Sequence, residues 1–342
     1  MVIVQSICFL LKFARGRLLG VYCSGSIPSG AAYHVVSCEV LRRGCQSLRK
    51  CHGSTGCLRP KDCEGCLRIA IQGELGSNSH MAALAMLGNV GGAGIEIVAC
   101  ATSAEVFERV VAGTVDAAVL PIENSLHGSV AEHYDLLLAQ PVRIARESLL
   151  RVRHNVIVRP GVKLSEVRKA MSHPVALSQC RRWLAAHPEI ESVNFYDTAG
   201  SVKHIMAAGL TDAGGIAPEL AAREYGGEVL VAGIEDHAEN FTRFFLLVRE
   251  GGEHPPSPEV NKASVAFSVA HRPGTLVKAL EELARAGVNL TKIESRPVPG
   301  MPWEYVFFVD LRFDSPGQID LALAALARHC QMVKELGRYV AA

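Results

Sequence analysis

The sequence of 342 residues lacks a long hydrophobic run, a sizeable net charge and any metal-binding histidine motif. No apolar stretch approaches the ~20 residues that a membrane-spanning helix needs. A formal net charge of +1 gives no reason to expect binding to nucleic acid or to a membrane surface. The thirteen histidines show neither HxxxH nor HExxH spacing, so we expect no metal. A hydrophobic content of 49% indicates a globular protein, and the length suggests two or three domains.

Cysteine is scarce everywhere except at the N-terminus. Eight of the eleven cysteines lie within residues 1–66, and their sparse use elsewhere is typical of a reducing cytoplasm. Cys63 and Cys66 have zinc-knuckle spacing, but a second such pair is missing and His52 is the only nearby histidine. The tract is also weakly periodic, and its apolar run is too short for a signal peptide. Its basic, acid-poor composition leaves an organellar transit peptide as an alternative, although nothing matches a cleavage site. We predict that residues 1–67 are a disordered extension, or coding sequence upstream of the true start, and that the protein is cytoplasmic.

Beyond this tract, strand patterns alternate with helix patterns. Short apolar runs at residues 67–71 and 117–121 indicate buried strands. A second unit of the same kind extends from about residue 142 to residue 226, and the chain returns through residues 228–234 to a final strand at 242–249. This alternation predicts an α/β fold in two lobes with a ligand cleft between them.

The C-terminal part has a different order of elements. Residues 250–261 are rich in proline and glycine, and they are predicted to form a linker. Across residues 262–340 the pattern runs strand, helix, strand, strand, helix, strand. That βαββαβ order predicts a ferredoxin-like domain.

The most informative segment is residues 239–247, with the sequence ENFTRFFLL. Asn240, Thr242 and Arg243 stand where a polar loop turns into an apolar strand that begins at Phe244. Polar groups at a strand end often bind ligands in α/β proteins. Arg243 can bind a carboxylate through two parallel hydrogen bonds, and the Thr242 hydroxyl can donate a hydrogen bond. The structural alternative is a capped strand start with a surface arginine.

Further polar motifs occur in a fixed order around this segment. They are PIENSLHGS at 121–129, SHP at 172–174, QC at 179–180, DTAGSV at 197–202, RPGTLV at 272–277 and IESRP at 293–297. In this order and spacing, the chain resembles the prephenate dehydratases that carry a C-terminal ACT regulatory domain. The resemblance implies an α/β catalytic domain at 68–249, with two lobes similar to type II periplasmic binding proteins. It also implies a ferredoxin-like ACT domain at 262–340.

The resemblance further implies the decarboxylative dehydration of prephenate to phenylpyruvate, a step of L-phenylalanine biosynthesis. Losing carbon dioxide and water together makes the ring aromatic, so we expect no cofactor. Thr242 resembles the residue that protonates the leaving hydroxyl in this family, and Glu123 is the rival acid if burial raises the pKa of its carboxyl. Arg243 is the expected partner of the pyruvyl carboxylate. The other expected substrate contacts are Asn124, Ser125, Ser172, Gln179, Thr198, Ser201, Asn240 and Phe244.

In the C-terminal domain, the resemblance implies an allosteric site for L-phenylalanine. Gly274 begins a helix, and its missing side chain leaves the first-turn N–H groups open to a carboxylate. The ammonium is expected near Glu294. The residues of the two motifs are Gly274, Thr275, Leu276, Val277, Glu294, Ser295, Arg296 and Pro297, with Thr275 where the family usually has alanine. We expect the sheet edges of this domain to pair with a second copy, in a homodimer or homotetramer.

Two other functions stay open from the sequence. Arogenate dehydratase performs the same elimination on the amino-acid form of the substrate, and a local change in the cleft is enough to convert one preference into the other. A function of another class is a non-catalytic amino-acid sensor, built from a binding-protein core and an ACT domain. The density of polar groups in the motifs favours an enzyme, and an assay for phenylpyruvate separates the two classes.

A protein that begins at Leu67 is expected to fold and to retain activity, because the preceding tract has few of the caps and periodic patterns of ordered elements. The full-length protein is expected to bind no stoichiometric zinc. Circular dichroism and turnover of both proteins test the first expectation, and elemental analysis tests the second. An inactive shortened protein, or one zinc per chain, would contradict them.

Overall fold

The computed structural model describes residues 11–14, 17–21, 66–88, 94–251, 259–298, 300–301 and 303–342. Within residues 1–65 it gives an antiparallel pair of strands, β1 (Leu11–Ala14) and β2 (Arg17–Val21). The rest of residues 1–65, with Cys63, lies outside the described residues. So do residues 252–258 of the predicted linker. Residues 66 and 67 of the predicted extension are described, and a strand begins at Leu67.

Strands and helices alternate through the remainder of the described chain. The strands are β3 (Leu67–Gln72), β4 (Ile95–Cys100), β5 (Ala117–Asn124), β6 (Gly128–Ser129), β7 (Val142–Arg151), β8 (Asn155–Val158), β9 (Lys169–Ser172), β10 (Glu191–Asn194), β11 (Ala213–Ala217), β12 (Glu228–Val231), β13 (Phe241–Arg249), β14 (Lys262–Ser268), β15 (Asn289–Pro297), β16 (Tyr305–Arg312) and β17 (Met332–Tyr339). The helices are α1 (Asn78–Leu87), α2 (Ser103–Val111), α3 (Ala131–Ala139), α4 (Pro174–Ser178), α5 (Arg181–Ala186), α6 (Thr198–Ala208), α7 (Glu219–Tyr225), α8 (Thr275–Arg285) and α9 (Pro316–Ala327). Within the described residues, no helix has the length and apolar character needed to cross a membrane.

The first lobe is built on a six-stranded sheet in the order β4-β3-β5-β13-β7, with the short β6 beside β5. β3 runs parallel to β4 and β5, and its Ile69, Ala70 and Ile71 are all buried, as expected for a strand covered on both faces. Ser77 caps the start of α1 by accepting a hydrogen bond from the His80 N–H. The loop between β3 and α1 is thereby held at one end of the sheet.

The second lobe is built on a five-stranded sheet in the order β10-β9-β11-β8-β12. The predicted α/β fold with two lobes is therefore confirmed. The predicted boundary between the lobes is wrong, because β7 and β13 belong to the first sheet, where β13 lies antiparallel to both β5 and β7. These strands pair over long sequence separations, and no local pattern in the sequence reports such a pairing. The chain thus leaves the first lobe after β7 and re-enters it at β13.

A third sheet, in the order β15-β16-β14-β17, forms the predicted βαββαβ unit together with α8 and α9. One face of this sheet packs against the two helices, through residues such as Val265, Ala279 and Ile319. The opposite face packs against the first lobe, where Phe308 and Tyr339 share a hydrophobic core with Phe245 of β13. The third sheet is therefore joined to the first lobe by a continuous core.

Helix α3 is tied to the third sheet near both of its ends. At its C-terminal end, Lys334 Nζ of β17 donates to the Leu138 carbonyl at 2.8 Å and to the carbonyls of Leu137 and Gln140. Just before its first turn, Ser129 Oγ donates to Glu294 Oε2 of β15 at 2.7 Å. The cation at the C-terminal end also complements the negative end of the helix dipole.

A buried group of charges lies where β13 meets the third sheet. Arg243 Nε donates to Glu147 Oε2 at 2.7 Å, and its Nη atoms donate to Asp310 and, at 3.0 Å, to the Tyr339 hydroxyl. Lys262 Nζ lies 3.0 Å from Glu147. Burial alone would lower the pKa of Arg243, but the carboxylates of Asp310 and Glu147 raise it above its ordinary value. Arg243 therefore stays charged, and it connects the first lobe to the third sheet.

Arg243→Met is expected to lower the free energy of unfolding by about 3–5 kcal/mol, because it leaves two buried carboxylates facing Lys262 alone. Arg285→Met is the matched control, since Arg285 is exposed and pairs on the helix surface with Glu281 and Glu282. A loss of about 0–1 kcal/mol is expected there. Urea unfolding of the three proteins measures the difference, and equal losses in the two variants would contradict a stabilising role for the buried group.

Candidate active site

A cleft of about 1000 Å³ separates the two lobes. The first lobe contributes the turn that follows β3, the end of β5 and part of β13. The second lobe contributes the N-terminal ends of α4 and α6. Five of the residues predicted from the motifs line this cleft: Asn124, Gln179, Thr198, Thr242 and Phe244.

Thr242 and Phe244 of β13 face this cleft, two residues apart on a strand whose side chains alternate between faces. The strand register pairs Thr242 with Asn124 of β5, and Asn124 Nδ2 lies 2.9 Å from Thr242 Oγ1. Thr242 is 9% exposed, so its hydroxyl is largely shielded from bulk water. A hydroxyl in such a place interacts strongly with any ligand group that reaches it.

Arg243 and Glu123 point away from the cleft, toward the third sheet. They are paired across β13 and β5, so their side chains share the face opposite to Thr242 and Asn124. Arg243 is occupied by the buried group of charges, and Glu123 Oε1 accepts a hydrogen bond from Lys292 Nζ at 2.8 Å. Neither side chain lines the cleft, so the structure does not bring the predicted carboxylate clamp at Arg243 or the alternative acid at Glu123 to it.

The three serines predicted to contact substrate are bonded to the backbone instead. Ser172 Oγ donates to the Ile216 carbonyl and Ser201 Oγ to the Thr198 carbonyl, both at 2.6 Å. Ser125 Oγ lies 3.2 Å from a backbone carbonyl. None of the three lines the cleft. The structure therefore does not bring these three hydroxyls to the cleft: those of Ser125 and Ser172 connect neighbouring segments, and that of Ser201 bonds within α6.

Sequence reasoning missed a polar cluster at the rim of the cleft. Lys203 Nζ lies 2.8 Å from Glu74 Oε2, and the Tyr196 hydroxyl donates to Glu74 Oε1 at 2.8 Å. Glu74 lies in the turn between Gly73 and Gly76, whose positive φ angles of 92° and 81° favour glycine. This glycine-rich turn, together with a lysine in the first turns of the DTAGSV helix, was the available signal for the cluster.

The N-terminal ends of α1 and α6 also open onto the cleft, through Asn78, Ser79 and Thr198. The first N–H groups of a helix have no intrahelical acceptor and carry a partial positive charge. With Lys203 they are the candidate groups for holding an anionic ligand. Among the described residues, no cluster of three potential metal ligands occurs.

A separate cavity of about 390 Å³ lies at the start of α8. Gly274, with a φ of 81°, precedes the helix, and residues 275–277 of the first turn line the cavity with it. Trp303, Tyr305 and Phe307 form an aromatic wall. The structure thus places the first predicted phenylalanine motif at a cavity with both an aromatic surface and a helix N-terminus.

The second predicted phenylalanine motif is divided between the two faces of β15. Ser295 pairs with Phe307 and Pro297 pairs with Tyr305 of the neighbouring strand. Because directly opposed residues share one face of a sheet, Ser295 and Pro297 lie beside the aromatic wall. Half of this motif therefore flanks the cavity.

Glu294 and Arg296, the other half of that motif, face the first lobe. Glu294 accepts from Ser129, and Arg296 Nη2 donates to Asp135 Oδ2 at 2.7 Å. Glu294, which was predicted to receive the ammonium of a ligand, does not line this cavity. Glu304 is the carboxylate that lines it.

Comparisons with known proteins identify the family of the chain. A family model of prephenate dehydratase matches residues 69–252, and a model of the ACT domain matches residues 263–327. Arogenate dehydratase/prephenate dehydratase 2, chloroplastic, of Arabidopsis thaliana is 38% identical over 287 residues, which cover 80% of this chain and 72% of that protein.

Two solved structures are similar over most of their length. Prephenate dehydratase from Arthrobacter aurescens, in complex with L-Phe, aligns with a TM-score of 0.72 and 32% identity over 80% of this chain and 90% of that one. GqqA, described as a novel type of quorum quenching acylase, aligns with the same TM-score and identity over 80% of this chain and 98% of that one. Since the family match extends over both lobes and the cleft between them, the chain belongs to the prephenate dehydratase family and carries a C-terminal ACT domain.

Proposed function

We propose that the protein converts prephenate to phenylpyruvate as part of L-phenylalanine biosynthesis. The observation that carries this proposal is the shielded Thr242 hydroxyl at the edge of a cleft of about 1000 Å³, in a chain of this family. In the reaction, the ring carboxylate leaves as carbon dioxide and the ring hydroxyl leaves as water. The electron pair of the broken carbon–carbon bond enters the ring, which becomes aromatic.

The protein has to assist the departure of the hydroxyl, because hydroxide is a poor leaving group. Thr242 is positioned to donate a hydrogen bond or a proton to this oxygen as the carbon–oxygen bond lengthens. A threonine hydroxyl is a weak acid in water, so its effect depends on a fixed position in a shielded site. The low exposure of Thr242 supports that role.

The substrate carboxylates require cationic or N–H partners, and Arg243 is not one of them. Lys203 and the N-terminal ends of α1 and α6 line the cleft, and we assign them to the pyruvyl carboxylate. The ring carboxylate must lose its charge in the transition state. A strong ion pair with it would stabilise the ground state more than the transition state. The cleft has few cations. This fits tight binding of the pyruvyl carboxylate and loose binding of the ring carboxylate.

Arogenate is the second candidate substrate, because Glu74 and Asp197 both line the cleft. Arogenate carries an ammonium group where prephenate has a keto oxygen, and a carboxylate near that position favours the ammonium. The ratio of kcat/KM for the two substrates decides between them. Turnover of neither would instead favour the amino-acid sensor.

We also propose that residues 68–249 are the catalytic domain and residues 262–340 the regulatory domain, with L-phenylalanine as inhibitor. The cavity at the start of α8 suits the ligand: its aromatic wall can pack on the ring, and the first-turn N–H groups can bind the carboxylate. Ile293 and Trp303 are exposed near the edge strand β15, which supports pairing with a second copy in a homodimer or homotetramer. A cytoplasmic location stays a prediction, since the Arabidopsis relative is named as chloroplastic.

Thr242→Val is expected to lower kcat by about 10²-fold or more, because it keeps the shape of the side chain but removes the donor. Thr242→Ser keeps a hydroxyl and is expected to lose far less. Thr291→Val on the edge strand β15 is the control for replacing a threonine hydroxyl elsewhere. Steady-state assays with both substrates test the role, and a kcat of Thr242→Val within twofold of the wild type would exclude it.

Val277→Asp is expected to weaken phenylalanine binding at least tenfold and to relieve inhibition, because it places a negative charge where the ligand carboxylate should bind. Val277 is exposed in the first turn of α8, where an aspartate also suits the helix. Leu321→Asp on α9 is the matched control, since Leu321 is also exposed but lies away from the cavity. Calorimetric titration measures both affinities. Unchanged binding by Val277→Asp would place the effector elsewhere.

A further inference from the structure

Three side-chain amides lie end to end behind Thr242. Asn124 Nδ2 lies 2.9 Å from Thr242 Oγ1 and 2.7 Å from Asn240 Oδ1. Asn240 Nδ2 in turn donates to Gln179 Oε1 at 3.0 Å. Asn240 is fully buried and does not line the cleft, so no ligand in the cleft can be its partner. The three residues, here named the amide chain, therefore link Thr242 to Gln179, and Asn124 Nδ2 also lies 3.2 Å from the Phe241 carbonyl.

The direction of this chain is fixed at the end next to Thr242. Asn124 Oδ1 accepts hydrogen bonds from the backbone N–H groups of Leu126 and His127, each at 3.0 Å. A backbone N–H can only donate, so the oxygen of Asn124 must face that turn. Its NH2 group must then face Thr242 and Asn240. The Thr242 oxygen is thus the acceptor of the Asn124 hydrogen bond.

The direction set at Asn124 continues through Asn240 to the other end. Gln179 Oε1 receives the Asn240 Nδ2 bond and also lies 2.7 Å from His154 Nε2. Gln179 Nε2 lies 3.0 Å from His127 Nδ1. His154 is buried, and burial lowers its pKa while the bond to Gln179 opposes the shift. Turning any one amide around would bring two donors or two acceptors together, so the orientations support one another.

We propose that Asn124 is a positioning residue that directs the proton of the Thr242 hydroxyl into the cleft. Because Asn124 donates to the Thr242 oxygen, the single hydroxyl proton must point to another acceptor, and the cleft is the side to which Thr242 is open. The hydroxyl is then presented as a donor to the leaving oxygen of the substrate. Asn124 acts through Thr242 and does not itself have to touch substrate. This inference rests on the proposed dehydratase function.

The amide chain also connects the two lobes. Asn124 and Thr242 belong to the first sheet, whereas Gln179 and His154 belong to the second lobe. Asn240 lies in the segment by which the chain re-enters the first lobe at β13. The amide chain therefore extends from the Thr242 hydroxyl of the first lobe to Gln179 of the second lobe.

Asn124→Asp is the decisive variant, because it has nearly the same shape and lacks the NH2 donor. The Thr242 proton is expected to turn toward the new carboxylate, so that kcat falls by about 10- to 100-fold while KM changes by less than about threefold. Asn155→Asp is the matched control. Asn155 is also buried, and its amide bonds to the Ala217 carbonyl and the Gly233 N–H outside the amide chain.

A double-mutant cycle with Thr242→Val separates positioning from direct binding of substrate. If Asn124 acts through Thr242, adding Asn124→Asp to Thr242→Val lowers kcat by less than about twofold further. If Asn124 binds substrate, the two losses multiply, and the proposal is overturned. A second readout is the pH profile of Asn124→Asp: kcat should rise as the pH falls toward the pKa of the new carboxyl, which then regains a donor. A profile parallel to the wild type counts against the proposal.

The same cycle can be measured by urea unfolding without substrate. Its outcome then tests the hydrogen bond between Asn124 and Thr242 independently of the proposed function. A coupling of at least about fivefold in the unfolding equilibrium constant supports the hydrogen bond between Asn124 and Thr242, and a coupling near one overturns it. Turnover of neither prephenate nor arogenate by the wild-type protein refutes the proposed function by itself. The unfolding cycle still decides whether Asn124 fixes the Thr242 hydroxyl.

Discussion

The alternation of side chains along β13 is the constraint on which the rest of the structure depends. β13 lies between β5 and β7, and one of its faces looks into the cleft while the other meets the third sheet. Successive residues of a strand point to opposite faces, so Thr242 and Arg243 must serve different surfaces. The candidate proton donor and the connection to the C-terminal domain are thus adjacent in the chain. A shift of β13 by one residue would turn Arg243 toward the cleft and Thr242 toward the third sheet.

The charges behind β13 make this register specific as well as stable. Isolated charges in a core are costly, and a buried ion pair is often no more stable than apolar residues of the same size. In a wrong register, however, Arg243 would be buried without its carboxylate partners. The side chains of the amide chain would also lose their hydrogen-bond partners. The arrangement of Arg243, Glu147 and Asp310 therefore penalises alternatives more than it stabilises the observed state.

The sequence located the important strand and the C-terminal unit, but it did not reveal which side chains point into the cleft. Residues 242–248 are all buried, so the usual contrast between polar and apolar faces is missing from β13. Arg243 was therefore assigned to substrate, since an arginine beside a polar loop is the ordinary choice for a carboxylate. The lobe boundary failed for a related reason, because β7 and β13 join the first sheet through pairings that only the folded chain contains. By contrast, the helix start at Gly274 could be predicted, because helix starts have a local signature.

The attachment of α3 at both ends has a mechanical consequence. A helix of nine residues is about 13 Å long and, over so few turns, nearly rigid. β17 holds one end through Lys334 and β15 holds the other through Glu294 and Ser129, while the turn at Ser129 borders the cleft. The helix thus connects the third sheet to the edge of the cleft. If the third sheet moves relative to the first lobe, either the turn at Ser129 moves with it or the hydrogen bonds at one end of α3 break.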